Sequence, residues 1–360
     1  MSFGATVGNL TLLKKYRHHL VHVTESAFHA DSLAASYPLS FKIDNPVEVY
    51  TGFDLLTYYK GASLLAMIAA LMGEENFNKG VKRYLMKFSY GNARSQDLWD
   101  VLDTVTTQVK GPDGSNLSIK KFADQWTVQM GFPLVTVEAV NSSFFQITQS
   151  RYKKNPNSLE IEKYRNPEYG FKWDVPIWYQ LDDEPVKLAW LRRDSPLHIL
   201  ANTERSTLVV NAERRGFYRQ NYNEEGWRKI TQQLISNHTI YSSHTITAII
   251  NDAFAAAAIN RVDYITVLRL VERLKRKKRY MKKLLERDSH ASYFWMSTGS
   301  YCPTDAEECI TRSAKLFEEG VLSKCEPGTR ASSCVELPVF ERRPAYCYGI
   351  KEFGNQAYDK

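Results

Sequence analysis

The chain has 360 residues, 43% of them apolar and 24% charged, with a formal net charge of +7. This length predicts two or three domains, and the composition excludes collagen, coiled coil and wholesale disorder. The charge is too small for the size to imply a nucleic-acid partner, and none is expected. No run of 18 uninterrupted apolar residues occurs, so no membrane-spanning helix is predicted. The first twenty residues, MSFGATVGNLTLLKKYRHHL, lack the apolar core of a secretion signal.

Residues 1–130 read as helical. In GEENFNKGVKRYLMKF, Phe77, Val81, Tyr84 and Leu85 recur on one helical face. SQDLWDVLDTVTTQV begins at Ser95, a predicted N-cap, and repeats Leu98, Val101, Leu102 and Val105. SIKKFADQWTVQMG is expected to stop at Gly131. From 131 to 222 the period changes to two. Val135 and Val137, then Phe145 and Ile147, alternate with polar residues, and WDVPIWYQL, VKLAWL and STLVVNA come next between turn-forming clusters. Short strands at this spacing predict a β-sandwich of roughly ninety residues. From 223 to 360 helical patterns return in NEEGWRKITQQLI, ITAIINDAFAAAAIN and DYITVLRLVERLKRKKRYMKKLL, pointing to an α-solenoid or bundle. The fold class is thus multidomain α+β: helices, a sandwich, helices.

One helix carries a chemical signal. In YTGFDLLTYYKGASLLAMIAALMG, residues 50–73, Thr51 and Asp54 read as a capping pair with the helix starting near Phe53, and Gly73 ends it. Tyr58 is followed on its own face by Gly61 and Ala62, neither of which has bulk. Gly61 costs such a helix about 1 kcal/mol relative to alanine, which calls for a reason such as close approach by another group. A phenol keeps its proton at neutral pH and can donate to a developing oxyanion. The plainer reading is a tyrosine at a helix boundary beside a small packing residue.

FDLLTYYKGASLLAMI resembles the F-D-x-x-x-Y-x-K-G-A-S-x-L segment of zinc aminopeptidases of the aminopeptidase N family. The similarity is collinear through ADSLAASYPLS, FADQWTVQMGFPLVTV, VNAERRGFYRQNYNEEGW (Gly216, Tyr218, Arg219, Asn221, Tyr222 and Trp227), IINDAFAAA and YCYGI. It implies the helical C-terminal part of a thermolysin-like peptidase domain over 1–130, a β-sandwich over 131–222 and a partial helical C-terminal domain over 223–360. It also implies zinc as cofactor, peptides with a free N-terminus as substrates, and Tyr58 as the oxyanion donor; Tyr59 inherits no role.

The H-E-x-x-H and G-x-M-E-N motifs that hold the metal and the substrate amine in that family do not occur in these 360 residues. The chain is therefore expected to be a fragment without a zinc site of its own and inactive alone. The alternative is a non-catalytic peptide-binding or interaction module. RHHLVH sets His18 and His22 four apart with Glu25 one turn on, a spacing that could hold zinc. His19 occupies the general-base position there, so a polar helix face is the preferred reading. RLKRKKRYMKK, eight basic residues in eleven, is read as a solvated helix end.

The cysteines crowd the last sixty residues: Cys302, Cys309, Cys325, Cys334 and Cys347. The Cys302-x6-Cys309 spacing suits a small disulfide loop, and the resemblance implies that pair as a disulfide; Cys325, Cys334 and Cys347 have no assigned pairing. N-x-S/T triplets begin at Asn9, Asn116, Asn141 and Asn237. Together these features point to a secretory-pathway protein, extracellular or at the plasma membrane, with any membrane attachment through an N-terminal anchor outside this chain. No feature specifies an oligomeric state.

Overall fold

The computed structural model describes residues 17–46, 48–106, 109–237 and 239–275. Cys302, Cys309 and the other cysteines, the YCYGI segment and most of the basic run lie outside them. The chain divides into two units, Met1–Thr266 and Val267–Lys360. All the strands, and every helix up to Ala258, belong to the first unit.

The elements are helices α1 (Arg17–Asp31), α2 (Glu48–Thr51), α3 (Leu55–Met72), α4 (Glu74–Lys87), α5 (Ser95–Asp103) and α6 (Ile119–Thr127), then seven strands. These are β1 (Pro133–Asn141), β2 (Phe144–Arg151), β3 (Val175–Leu181), β4 (Lys187–Leu191), β5 (Leu197–Leu200), β6 (Leu208–Val210) and β7 (Arg219–Tyr222). Helices α7 (Glu224–Ser236), α8 (Ser243–Ala258) and α9 (Tyr264–Lys275) come last.

The local signals account for most of these elements. Helix α4 buries Phe77, Gly80 and Val81, and the bare Gly80 lies where a Cβ would come within 2.6 Å of Leu102 on α5. Leu85, expected on the inner face, is instead 52% exposed, the buried stripe of this helix being Phe77, Gly80 and Val81. Helix α5 starts one residue earlier than Ser95 implies: Arg94 is the N-cap, and its amide donates to Asp97. Helix α6 is capped by Ser118, whose hydroxyl accepts from the Lys121 amide, and ends at Thr127, four residues before the expected stop at Gly131.

The strands form two sheets, ordered β5-β2-β1-β7 and β4-β3-β6. All neighbours are antiparallel except β1 and β7, which run parallel with Val135 opposite Gln220. Side-chain to backbone bonds link the two sheets. Gln149 of β2 donates to the carbonyls of Trp173 and Arg192, and the Val210 amide of β6 donates to the Tyr222 hydroxyl of β7.

Strand β7 is polar in sequence, RQNY, yet all four residues are buried. Each has a dedicated partner. Asn221 accepts from the Trp227 indole, and Gln220 accepts from the Tyr222 hydroxyl at 2.5 Å. Arg219 enters a ring of four charges. Its guanidinium donates to Asp252 of α8 at 2.6 Å and to Glu25 of α1 at 2.8 Å. Arg214 completes the ring, donating to Asp252 at 2.5 Å and to the other oxygen of Glu25. Both guanidiniums lie over the Phe28 ring, 4.8 and 4.6 Å from its centroid.

Burial alone would raise the Glu25 carboxyl, but Arg219 and Arg214 outweigh it and hold it below its ordinary value. Its stabilising contribution is therefore complete above the ordinary carboxylate range and is lost as pH falls through the lowered folded-state value. Asp252→Ala is expected to cost roughly 3–5 kcal/mol, because two buried guanidiniums are left sharing one carboxylate. Glu25→Gln should be most destabilising near neutrality, with the gap to the parent chain closing in acid. Urea denaturation of the purified chain at neutral and acidic pH measures both. A Glu25→Gln penalty that does not depend on pH would refute the assignment.

Candidate functional site

Asp54 alone is the N-cap of α3: its carboxylate accepts from the Thr57 amide at 2.9 Å, and the helix begins at Leu55. Thr51, expected to share the cap, belongs to the preceding one-turn helix α2. Gly73 ends α3 with φ at 77°, as its position in the sequence implies.

By length and composition α3 could cross a membrane. Its inner face is nevertheless core: Leu64, Leu65, Met67 and Ile68 are at most 2% exposed. One charge sits within that face. Lys60 is fully buried and pairs with Asp31, the last residue of α1, at 2.9 Å. Lys60 also donates to the carbonyls of Gln129 and Gly131. Asp31 accepts from the Ser36 hydroxyl at 2.6 Å and from the Gly131 amide at 2.8 Å. Burial lowers the Lys60 ammonium from its ordinary value, opposed by Asp31.

Gly131 is what closes this clasp. Its φ is +81°, and a Cβ there would lie 2.7 Å from the Arg151 side chain, so glycine is required and both its amide and its carbonyl face the ion pair. The residue expected only to stop a helix joins α1 and α3 to the start of β1.

Tyr58 lies on the opposite side of α3 from Lys60 and is 37% exposed. Phe53 and Leu55 beside it are 61% and 60% exposed, so the N-terminal end of the helix presents an uncovered aromatic and aliphatic surface. Gly61, one turn further along, is buried, yet a Cβ built on it meets no described atom within 4 Å. The close approach expected at Gly61 is thus absent among the described residues.

The described residues include no group of three His, Cys, Asp or Glu side chains able to hold a metal ion. His18 and His22 fall on α1, but Glu25, the third donor of that pattern, is 13% exposed and held by Arg214 and Arg219. The helix face read as polar therefore turns Glu25 inward. The described residues bring together no set of side chains that fits a zinc ion. A separate hollow, lined by Val137, Phe145, Leu208, Tyr222 and Lys229, belongs to the strands and α7 and includes no residue of α3.

Asp31, Lys60, Arg214, Arg219 and Asp252 were not recognised from sequence as a positioning framework. A signal for two of them was present. Lys60 and Asp252 are single charges within apolar helical runs, and a charge in such a place needs a buried partner.

Residues 4–126 match the peptidase family M1 domain, and residues 207–283 match the ERAP1-like C-terminal domain. The chain is 41% identical to aminopeptidase N of Haemonchus contortus, over 95% of its own length and 40% of that protein. It is 32% identical to glutamyl aminopeptidase of Sus scrofa, over 91% of its length and 37% of that protein. It is 34% identical to aminopeptidase Ey of Gallus gallus, over 70% of its length and 25% of that protein. The chain therefore spans well under half of these relatives, and it belongs to peptidase family M1.

Proposed function

We propose that this chain forms the tyrosine-bearing wall of a zinc aminopeptidase site acting on peptides with a free N-terminus, the zinc ligands being supplied by residues other than these 360. The carrying observation is Tyr58, a phenol 37% exposed near the start of a helix whose inner face is core, with no described atom within 4 Å of a Cβ at Gly61 on its own side.

The contribution of the chain's own residues can be stated without the metal. Hydrolysis of a peptide bond builds negative charge on the carbonyl oxygen, and a donor already fixed in place stabilises that charge more than it stabilises the ground-state carbonyl. Tyr58 has the donor. Its fixity comes from behind: Lys60, two residues on, is tied to Asp31 and two carbonyls, so α3 cannot rotate without breaking a buried ion pair. Among the described residues no side chain packs over Gly61 on the phenol's side of the helix. The same reading takes the chain to the outside of the cell or the cell surface, in keeping with its N-x-S/T triplets and the Cys302/Cys309 spacing.

The purified chain, given zinc, should release no N-terminal residue from a peptide; chelator-sensitive turnover would place a complete site within these residues. In an enzyme that joins this chain to an H-E-x-x-H segment, Tyr58→Phe should lower kcat by about 10²–10³ with KM little changed. An unaltered kcat would leave the chain with a binding role only. Gly61→Ala should leave thermal stability unchanged or raise it by up to about 1 kcal/mol, since the added methyl meets nothing and helix propensity improves. A loss of stability would mean that a neighbour does pack over Gly61.

A further inference from the structure

Among the described residues, three asparagines begin N-x-S/T triplets: Asn116, Asn141 and Asn237, all exposed. In a carboxamide the oxygen accepts and the nitrogen donates, so the donors around it identify which atom is which. At Asn141 two backbone amides, of Ser143 and Phe144, approach one side-chain atom at 2.8 and 3.2 Å, and that atom must be Oδ1. At Asn237 the Thr239 amide at 3.1 Å and the Thr239 hydroxyl at 2.7 Å meet at Oδ1 in the same way. In both, Nδ2 is left facing solvent with no partner among the described residues. Asn116 differs, its Oδ1 being met by a single lysine, Lys110, at 3.3 Å.

We infer that Asn141 and Asn237 are acceptor sites for N-linked glycans, an assignment that rests on the extracellular reading. Two features of the geometry carry it. Each turn closes within three residues of its asparagine, so it needs no tertiary structure and can form in a chain still emerging from synthesis. Each asparagine then stays exposed in the finished fold, Asn141 at the tip of the β1–β2 hairpin and Asn237 at the C-terminal end of α7, so a bulky substituent displaces nothing. Neither modification breaks a hydrogen bond, because the bonds present use only Oδ1.

The donor is a lipid-linked oligosaccharide diphosphate. Nδ2 forms a bond to the anomeric carbon, and the bond from that carbon to the diphosphate oxygen breaks. The lipid diphosphate leaves with the electron pair, and Nδ2 gives one proton to the surrounding base. Nothing is oxidised or reduced.

The test is to express the 360-residue chain behind a cleavable signal peptide in insect cells and recover the signal-cleaved form from membranes and medium. Release of glycans by the amidase in ¹⁸O-water converts each modified asparagine to labelled aspartate, read by peptide mass spectrometry. Label is expected at both Asn141 and Asn237. Ser143→Ala should abolish it at Asn141 alone, and Thr239→Ala at Asn237 alone. Signal-cleaved chain with unmodified asparagine at either position would overturn the proposal. Because the added signal delivers the chain whatever its natural route, that failure is distinct from a failure of the extracellular reading, which fractionation of the native source decides separately.

Discussion

The ring formed by Glu25, Arg214, Arg219 and Asp252 is the constraint on which the described fold turns. Its members come from the first helix, a turn after β6, the last strand and the penultimate described helix. Placing four charges in an interior is costly unless every one is met by an opposite charge in good geometry. Here each guanidinium spans both carboxylates through its terminal nitrogens and each carboxylate spans both guanidiniums, so the set is neutral, with the two buried Nε–H groups outside the ring of bonds. No subset keeps all of these bonds. The helical start of the chain, the strands and the helices after them must therefore arrive together, a requirement that aliphatic packing alone would not impose. Around the ring, Phe28 stacks on Phe217 at 4.6 Å and tilts against Phe132 at 4.5 Å, joining the same segments through apolar area.

Helix α1 carries this constraint to the candidate site. Glu25 holds it to β7 and to the turn after β6, and Asp31, at its end, holds Lys60 of α3. In an α-helix residues two apart point about 200° away from one another, so fixing the direction of Lys60 fixes that of Tyr58. On the proposed reading, a phenol that meets charge as it develops must already be aimed, since reorganisation during the reaction would offset the gain. The buried lysine in Y-x-K-G thus supplies a physical reason for the residue spacing.

Much of this was legible in the chain. Helix and strand periods placed most elements, because amphipathic burial is a local pattern; Val135, Val137, Phe145 and Ile147 are buried on one sheet as alternation requires. What escaped depends on contacts distant in sequence. Strand β7 has no alternation, since its polar residues are satisfied individually by Glu25, Asp252, Tyr222 and Trp227. Glu25 looked like a metal ligand or a solvated charge because its partners lie 189 and 194 positions away. Tyr58 was a candidate by motif and by its small neighbours, and the structure adds its exposure on α3. Its support was not legible, because Asp31 and Gly131 meet Lys60 only in the folded chain.

The turn from Asn211 to Gly216 shows how that distant information is held. Asn211, Glu213 and Arg214 all have positive φ, between 53° and 61°, a conformation that costs a residue with a side chain on the order of 1 kcal/mol or more. The side chain of Asn211 bonds back to the amide and carbonyl of Gly216 and to the carbonyl of Tyr218, closing the turn from within. A Cβ at Gly216 would lie 2.0 Å from the Tyr218 ring, so only glycine lets the chain fold back this tightly. The turn delivers Arg214 beside Arg219, two like charges that would repel if the acids were absent. Strain and repulsion are both offset by Glu25 and Asp252, so the turn holds this shape only when α1 and α8 are in place, and its geometry reports assembly of the whole unit.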